Sequence, residues 1–211
     1  KLLILLITSI AFSTVTDIDG NVYETILIGD QLWMAENLKV TRYNNGVNIP
    51  NELDDSNWEN TTDGAYYIHS EPSFEQIYGL LYNWYAVLET EGNICPEDWH
   101  IPTDEEFQEL CIYLGMSEDQ ANNFNYIGTN EGSKLAGNSN LWLPDYSGSE
   151  GNLESNEFFG VTGFDWLPSG CRSSNGIECS TGTKSYFWTS DENNQEISEA
   201  MQYRLHHSSS K

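Results

Sequence analysis

Between Asn93 and Leu110 the chain reads NICPEDWHIPTDEEFQEL, which places Cys95, His100 and six carboxylates within eighteen positions. A thiol beside an imidazole is the chemistry of a Cys–His nucleophile, and the same two residue types are zinc donors. Nucleophilic catalysis needs the two side chains in hydrogen-bond contact with a third group orienting the base, which this spacing ahead of a helix does not supply. A lone Cys-x4-His also lacks the second pair of donors that a structural zinc site requires. Cys95 reads instead as half of a disulfide, and His100 as a partly buried hydrogen-bonding residue.

Other residues invite chemistry more weakly. Asp191, Glu192 and Asn193 supply the oxygen donors that Ca²⁺ prefers, as do Asp54 and Asp55; the competing reading is a solvated acidic turn. DIDGN, from Asp17, resembles the start of an EF-hand loop, but Gly20 comes two positions early and Ile28 stands where a bidentate Glu is required. Carboxylates abound, yet no spacing singles out an acid and a base. Ser169-Gly170 follows Pro168 without a Gly-x-Ser-x-Gly elbow. Cys171 and Cys179 flank RSSNGIE, whose Asn175-Gly176 is a turn pair, so a bridge across that hairpin is expected, with Cys95 and Cys111 left over.

The elements that must position these residues are short. Asp19-Gly20-Asn21 sits between alternating segments and predicts a β-hairpin, with Val22, Ile26 and Ile28 on one side. Residues 40–73 read as surface loops with one or two short strands. Ile77, Leu80, Leu81, Trp84 and Val87 or Leu88 recur at helical spacing, predicting a first helix with Gly79 as its weak spot. Thr103 with Glu106 three residues on is a capping box, and Asp104 and Glu105 suit the positive end of the helix dipole. Phe107, Leu110, Cys111 and Leu114 line one face of this second helix, and Gly115 is placed to end it. The carboxylates of the opening stretch are thus a helix N-terminus. Residues 128–157 are rich in Gly, Ser and Asn, as binding loops are. Strand patterns return at FFGVTGFDWLPSGCR, KSYFWTSDE and EAMQYRLHH; His206 and His207 read as an incidental pair.

The chain has 211 residues, enough for one domain, with 38% hydrophobic and 13% aromatic content, which excludes a disordered chain. Eight basic residues against 33 acidic ones give a formal charge of −25. That charge repels phosphates and anionic lipid, excluding nucleic acid and membrane surfaces as partners. KLLILLITSIAFS, residues 1–13, has one basic residue, an apolar run and small residues at its end. It reads as a secretory signal whose start is missing, too short to span a bilayer, and no Cys follows it to carry a lipid. Residues 14–211 are then a single exported domain, in a compartment that permits disulfides.

Taken in order, IGDQLWMAENLK, YGLLYNWYAV, CPEDWHIPTDEEFQELCIYLG, GFDWLPSGCRSSNG and YFWTSDE resemble the Fibrobacter succinogenes major paralogous domain family over about residues 15–205. The resemblance implies a secreted or outer-surface module of α+β class with a C-type-lectin-like fold: two helices, small antiparallel sheets and a long irregular loop region. It also implies a closing strand of the type Gly-Phe-Ser-x-Arg-Cys, which is lacking here, so Cys95 is expected to have lost its partner with that segment. WHIPTDEEF and WTSDE are similar to pieces of the formylglycine-generating fold as well. That chemistry uses paired cysteines, and Cys171 and Cys179, the one close pair, lack the surrounding motif. Calcium-dependent lectins place Glu-Pro-Asn beside their ion; Glu71-Pro72-Ser73 lies too early in the chain to serve. The expectation is therefore a non-catalytic module binding a glycan or a cell-surface protein, with a structural module or, less favoured, an oxidase as alternatives. Trp33, Trp84, Trp99 and Trp188, beside apolar neighbours, read as core, whereas Trp58 and Trp142, in polar loops, are the expected exposed platforms.

Overall fold

A computed structural model of the chain describes residues 13–51, 53–88, 92–123, 128–143, 153–192 and 200–209. The residues read as a signal segment therefore lie, apart from Ser13, outside the described ones. The described chain is α+β. It opens with a meander of β1 (Ser13–Thr16), β2 (Val22–Ile28) and β3 (Gln31–Met34). The first hairpin turns at Asp19-Gly20 as the sequence predicts, pairing Ser13 with Thr25 and Thr16 with Val22. Asp17 organises that turn: its carboxylate accepts from the backbone N–H groups of Asp19 and Asn21, both at 2.9 Å, and from the Tyr23 hydroxyl at 2.6 Å. The buried side of β2 is not the expected Val22, Ile26 and Ile28. Val22 is exposed, and Tyr23, Thr25 and Ile28 are buried. Tyr23 goes inward because its hydroxyl finds Asp17 as an acceptor and the Lys39 N–H as a donor at 2.9 Å, which satisfies a buried polar atom.

Short elements follow: α1 (Asp55–Asn60), β4 (Tyr66–Tyr67), α2 (Pro72–Tyr78), β5 (Leu81–Tyr82) and α3 (Trp84–Val87). The single helix expected around residues 77–88 is thus broken into three pieces. Gly79 has φ 71°, and a side chain there would meet the Leu38 carbonyl oxygen at 2.6 Å. The apolar residues keep a helical period, but Gly79 takes a positive φ and the Leu80 N–H leaves the helix to donate to the Leu38 carbonyl at 2.9 Å. Asn83 then starts α3, its side-chain oxygen accepting from the N–H groups of Ala65 at 2.9 Å and Ala86 at 3.1 Å.

α4 (Asp104–Tyr113) is the one long helix among the described residues. Its capping box is present in full. Thr103 Oγ1 accepts from Glu106 N at 3.2 Å, and the Glu106 carboxylate accepts from Thr103 N at 2.8 Å. At its other end Gly115, φ 117°, lets Met116 N reach back to Cys111 O and Gly115 N to Ile112 O, both at 3.0 Å, a Schellman arrangement. Because these bonds satisfy otherwise orphaned groups, Thr103→Ala should lower stability by about 1 kcal/mol, readable as a shifted urea midpoint with an unchanged slope.

α5 (Glu118–Ala121) and α6 (Glu131–Leu135) lead to two antiparallel pairs, β6 (Cys171–Arg172) with β7 (Glu178–Cys179), and β8 (Lys184–Glu192) with β9 (Ala200–His206). The last two strands were expected; a strand across FFGVTGFDWLPSG was not found. Positive φ at Gly160, Gly163 and Asp165 coils that stretch into turns, leaving two isolated bridges, Trp166 to Ala136 and Gly170 to Ser185. The core has two apolar clusters. One joins Trp33, Phe107, Leu110, Cys111, Trp142, Phe164, Trp166 and Leu205, and the other Val40, Tyr43, Ile49, Tyr66, Leu80, Ile94 and Cys95. Cys95 and Cys111 thus occupy different clusters.

Candidate functional site

The two tryptophans expected on the surface are inside. Trp58 belongs to α1 and not to a loop. It is 7% exposed, its indole N–H donates to the Ser173 carbonyl at 3.1 Å, and its face carries the Arg172 guanidinium at 4.4 Å. Trp142 is 4% exposed, with its N–H on the Gly137 carbonyl at 3.0 Å. In both cases a backbone carbonyl in a neighbouring loop satisfies the indole, which removes the reason for the ring to stay near water.

The tryptophans near solvent are among those read as core. Trp84, Trp99 and Trp188 are half-buried and line a cavity of about 1210 Å³. Trp84 is the first residue of α3, held by the Asn83 cap. Trp188 comes from β8, its indole N–H donating to the Tyr82 carbonyl at 3.0 Å. The two rings lie 5.6 Å apart and tilted by 49°, and both line the cavity. Trp99 enters from the loop before α4. Its own loop is pinned by Asn93, whose amide donates to Trp99 O at 3.3 Å, and its ring packs on the second apolar cluster. Buried Trp33 and Trp166 and partly buried Phe187 line the cavity too, backed by Phe107, whose ring centroid is 6.3, 5.9 and 5.1 Å from theirs. Sequence reasoning passed over the half-buried three because apolar neighbours suggested burial; the available signal was Trp99 set between Asp98 and His100.

A hairpin forms part of the wall. Cys171 and Cys179 are joined in a disulfide across β6 and β7, as expected from the turn pair between them. The Arg172 side chain is 4% exposed. It is stacked between Trp58 and Tyr67, at 4.4 and 4.3 Å, and donates to the carbonyls of Gly176 and Leu53, both at 2.8 Å, and to Asp55 at 3.2 Å. Glu178 anchors the other strand: it accepts from Ser70 N at 3.0 Å and Tyr67 OH at 3.2 Å, and lies 3.1 Å from His69 Nδ1. Burial alone would raise its pKa, but the Ser70 and His69 hydrogen bonds outweigh that and hold it at about 2.

The remaining candidates fall into place as structural groups. His100 is exposed rather than partly buried, and its Nε2 lies 3.0 Å from the Glu106 carboxylate, whereas Cys95 is packed in the second cluster. Burial opposes ionisation of Glu106, yet the bonds from Thr103 and His100 leave its pKa below the usual range. Of the proposed calcium ligands, Asp191 accepts the Asp104 backbone N–H at the start of α4. The Glu192 side chain and all of Asn193 lie outside the described residues. Asp54 caps α1, accepting from Asn57 N at 2.7 Å, and Asp55 faces Arg172. Among the described residues no three His, Cys, Asp or Glu side chains gather as a metal site, and no helix is long and apolar enough to cross a membrane.

The model of the Fibrobacter succinogenes major domain matches residues 26–210, spanning the cavity-lining segments from β3 to β9. Neither a curated protein nor a solved structure matches the chain. With a family match over nearly its whole length, the chain belongs to the Fibrobacter succinogenes major domain family.

Proposed function

We propose that this protein is a non-catalytic binding module, exported or displayed on the outer cell surface, that holds a glycan in the aromatic cleft. One observation carries the reading: the half-buried, tilted pair Trp84 and Trp188 at the cleft, Trp188 held by its bond to the Tyr82 carbonyl and Trp84 carried on the capped first turn of α3. Indole faces held in place, with one side left to solvent, suit the apolar faces of sugar rings at small entropic cost. The C-type-lectin-like architecture expected from the family resemblance agrees with a ligand held among loops. The Cys171–Cys179 bridge fits an oxidising compartment. It also occupies both thiols that an oxidase of the formylglycine-generating type would need, so that alternative has less support.

A glycan array probed with the full chain, followed by calorimetry on the best binder, tests the proposal. Trp84→Ala and Trp188→Ala should each weaken binding about tenfold, the size expected from losing one stacked aromatic of about 1.4 kcal/mol. Trp142→Phe, altering an indole buried away from the cleft, should leave affinity unchanged. No array signal, or equal affinity in all three variants, would leave the purely structural module as the better reading.

A further inference from the structure

We infer that the cleft selects uncharged glycans and rejects acidic ones. The inference rests on the glycan reading above and adds the chemical class of the ligand.

The argument is a charge account of the cleft wall. Glu59, Asp98 and Glu106 line it as carboxylates. Arg172 is the one Lys or Arg among the described residues lining the cavity, and it is built into the wall, with three of its five N–H groups donating to protein acceptors. Its guanidinium is sandwiched by Trp58 and Tyr67, and its N–H groups point at Gly176 O, Leu53 O and the Asp55 carboxylate. Swinging the side chain out toward a ligand anion would mean leaving both rings and three acceptors. Glu36, also at the cleft, is paired with Lys39 at 2.9 Å, so that lysine is engaged as well. Against these stands a chain of formal charge −25, whose field adds to the local carboxylates.

An uncharged sugar meets this wall favourably, because its hydroxyls donate to carboxylate oxygens in charge-assisted hydrogen bonds while its ring face stacks on indole. A uronate or sulfate presents an anion to a wall where Glu36, Glu59, Asp98 and Glu106 outnumber the cationic groups, Arg172 being held in the wall and His100 lying 3.0 Å from the Glu106 carboxylate. Repulsion at a partly enclosed surface is screened by salt over about 8 Å at physiological ionic strength, which makes the discrimination salt-dependent.

The test uses the intact chain and matched ligands: neutral hexose oligosaccharides, and the same chains oxidised at C6 to uronates, titrated at 20 mM and 500 mM NaCl. The neutral chains should bind at least about tenfold more tightly at low salt, with the gap narrowing at high salt. Asp98→Asn combined with Glu59→Gln should shrink the low-salt gap about threefold, by raising uronate affinity and modestly lowering neutral affinity as charge-assisted bonds become neutral ones; Asn tolerates the positive φ of 65° found at position 98. Uronates bound as tightly as neutral chains, with both lost in Trp84→Ala, would overturn the charge selection while leaving the glycan reading intact. Binding of neither class would remove both together.

Discussion

Phe107→Ala should be the most damaging single change, costing about 3–5 kcal/mol, the range for an aromatic side chain deleted from a closed core. Phe107 is 2% exposed and contacts four other rings: Trp33, Trp166, Phe187 and Tyr203, the last at 4.1 Å between centroids. These come from β3, the turns after α6, β8 and β9, so one side chain joins elements that are distant in sequence. Urea denaturation followed by tryptophan fluorescence should show the lowered midpoint. Because Phe107 supports Trp33, Trp166 and Phe187 without itself lining the cavity, the loss of stability should come with weakened ligand binding. A cost below about 1 kcal/mol would mean that the aromatic cluster does not hold the cleft.

Glu178→Gln should cost about 2–3 kcal/mol, since it weakens charge-assisted bonds to Ser70 and His69 at a site where Tyr67 and Thr181 also point at the carboxylate. The pH dependence gives a sharper signature. With a folded pKa of about 2 and an unfolded value of about 4.3, ionised Glu178 contributes its stability fully above the unfolded value. The contribution declines as pH falls from there toward 2, because protons bind the unfolded chain more readily. Thermal melts from pH 6 to 2 should therefore show a steeper acid loss in the wild type than in Glu178→Gln. Parallel profiles would show that the carboxylate does not anchor the hairpin. Removing the nearby disulfide tests a different property, since its closed loop is short and its effect on the unfolded chain is about 2.5 kcal/mol in the loop-entropy account.

Part of this molecule could be read from its residues. Thr103 and Glu106 announced α4, Asp19-Gly20 the first hairpin, and Asn175-Gly176 the turn that the Cys171–Cys179 bridge closes. KSYFWTSDE and AMQYRLH are strands where their alternation placed them. Each of these is local: a cap, a positive φ or a side-chain period involves groups within a few positions of one another, and their chemistry is present in the sequence itself.

The placement of the tryptophans was not local. Trp58 follows the polar run DDSN and is buried because Ser173, 115 positions later, offers it a carbonyl and Arg172 covers its face. Trp188 sits in an apolar strand yet reaches the cleft because Tyr82, 106 positions earlier, holds its indole beside Trp84. Gly79 divided an apparently continuous helix because its positive φ turns the chain and the Leu80 N–H donates to the distant Leu38 carbonyl at 2.9 Å instead of to the helix. Local backbone geometry was thus determined by neighbours along the chain. The exposure of a ring, and with it the existence of the cleft, was decided by partners about a hundred residues away, which no periodicity encodes.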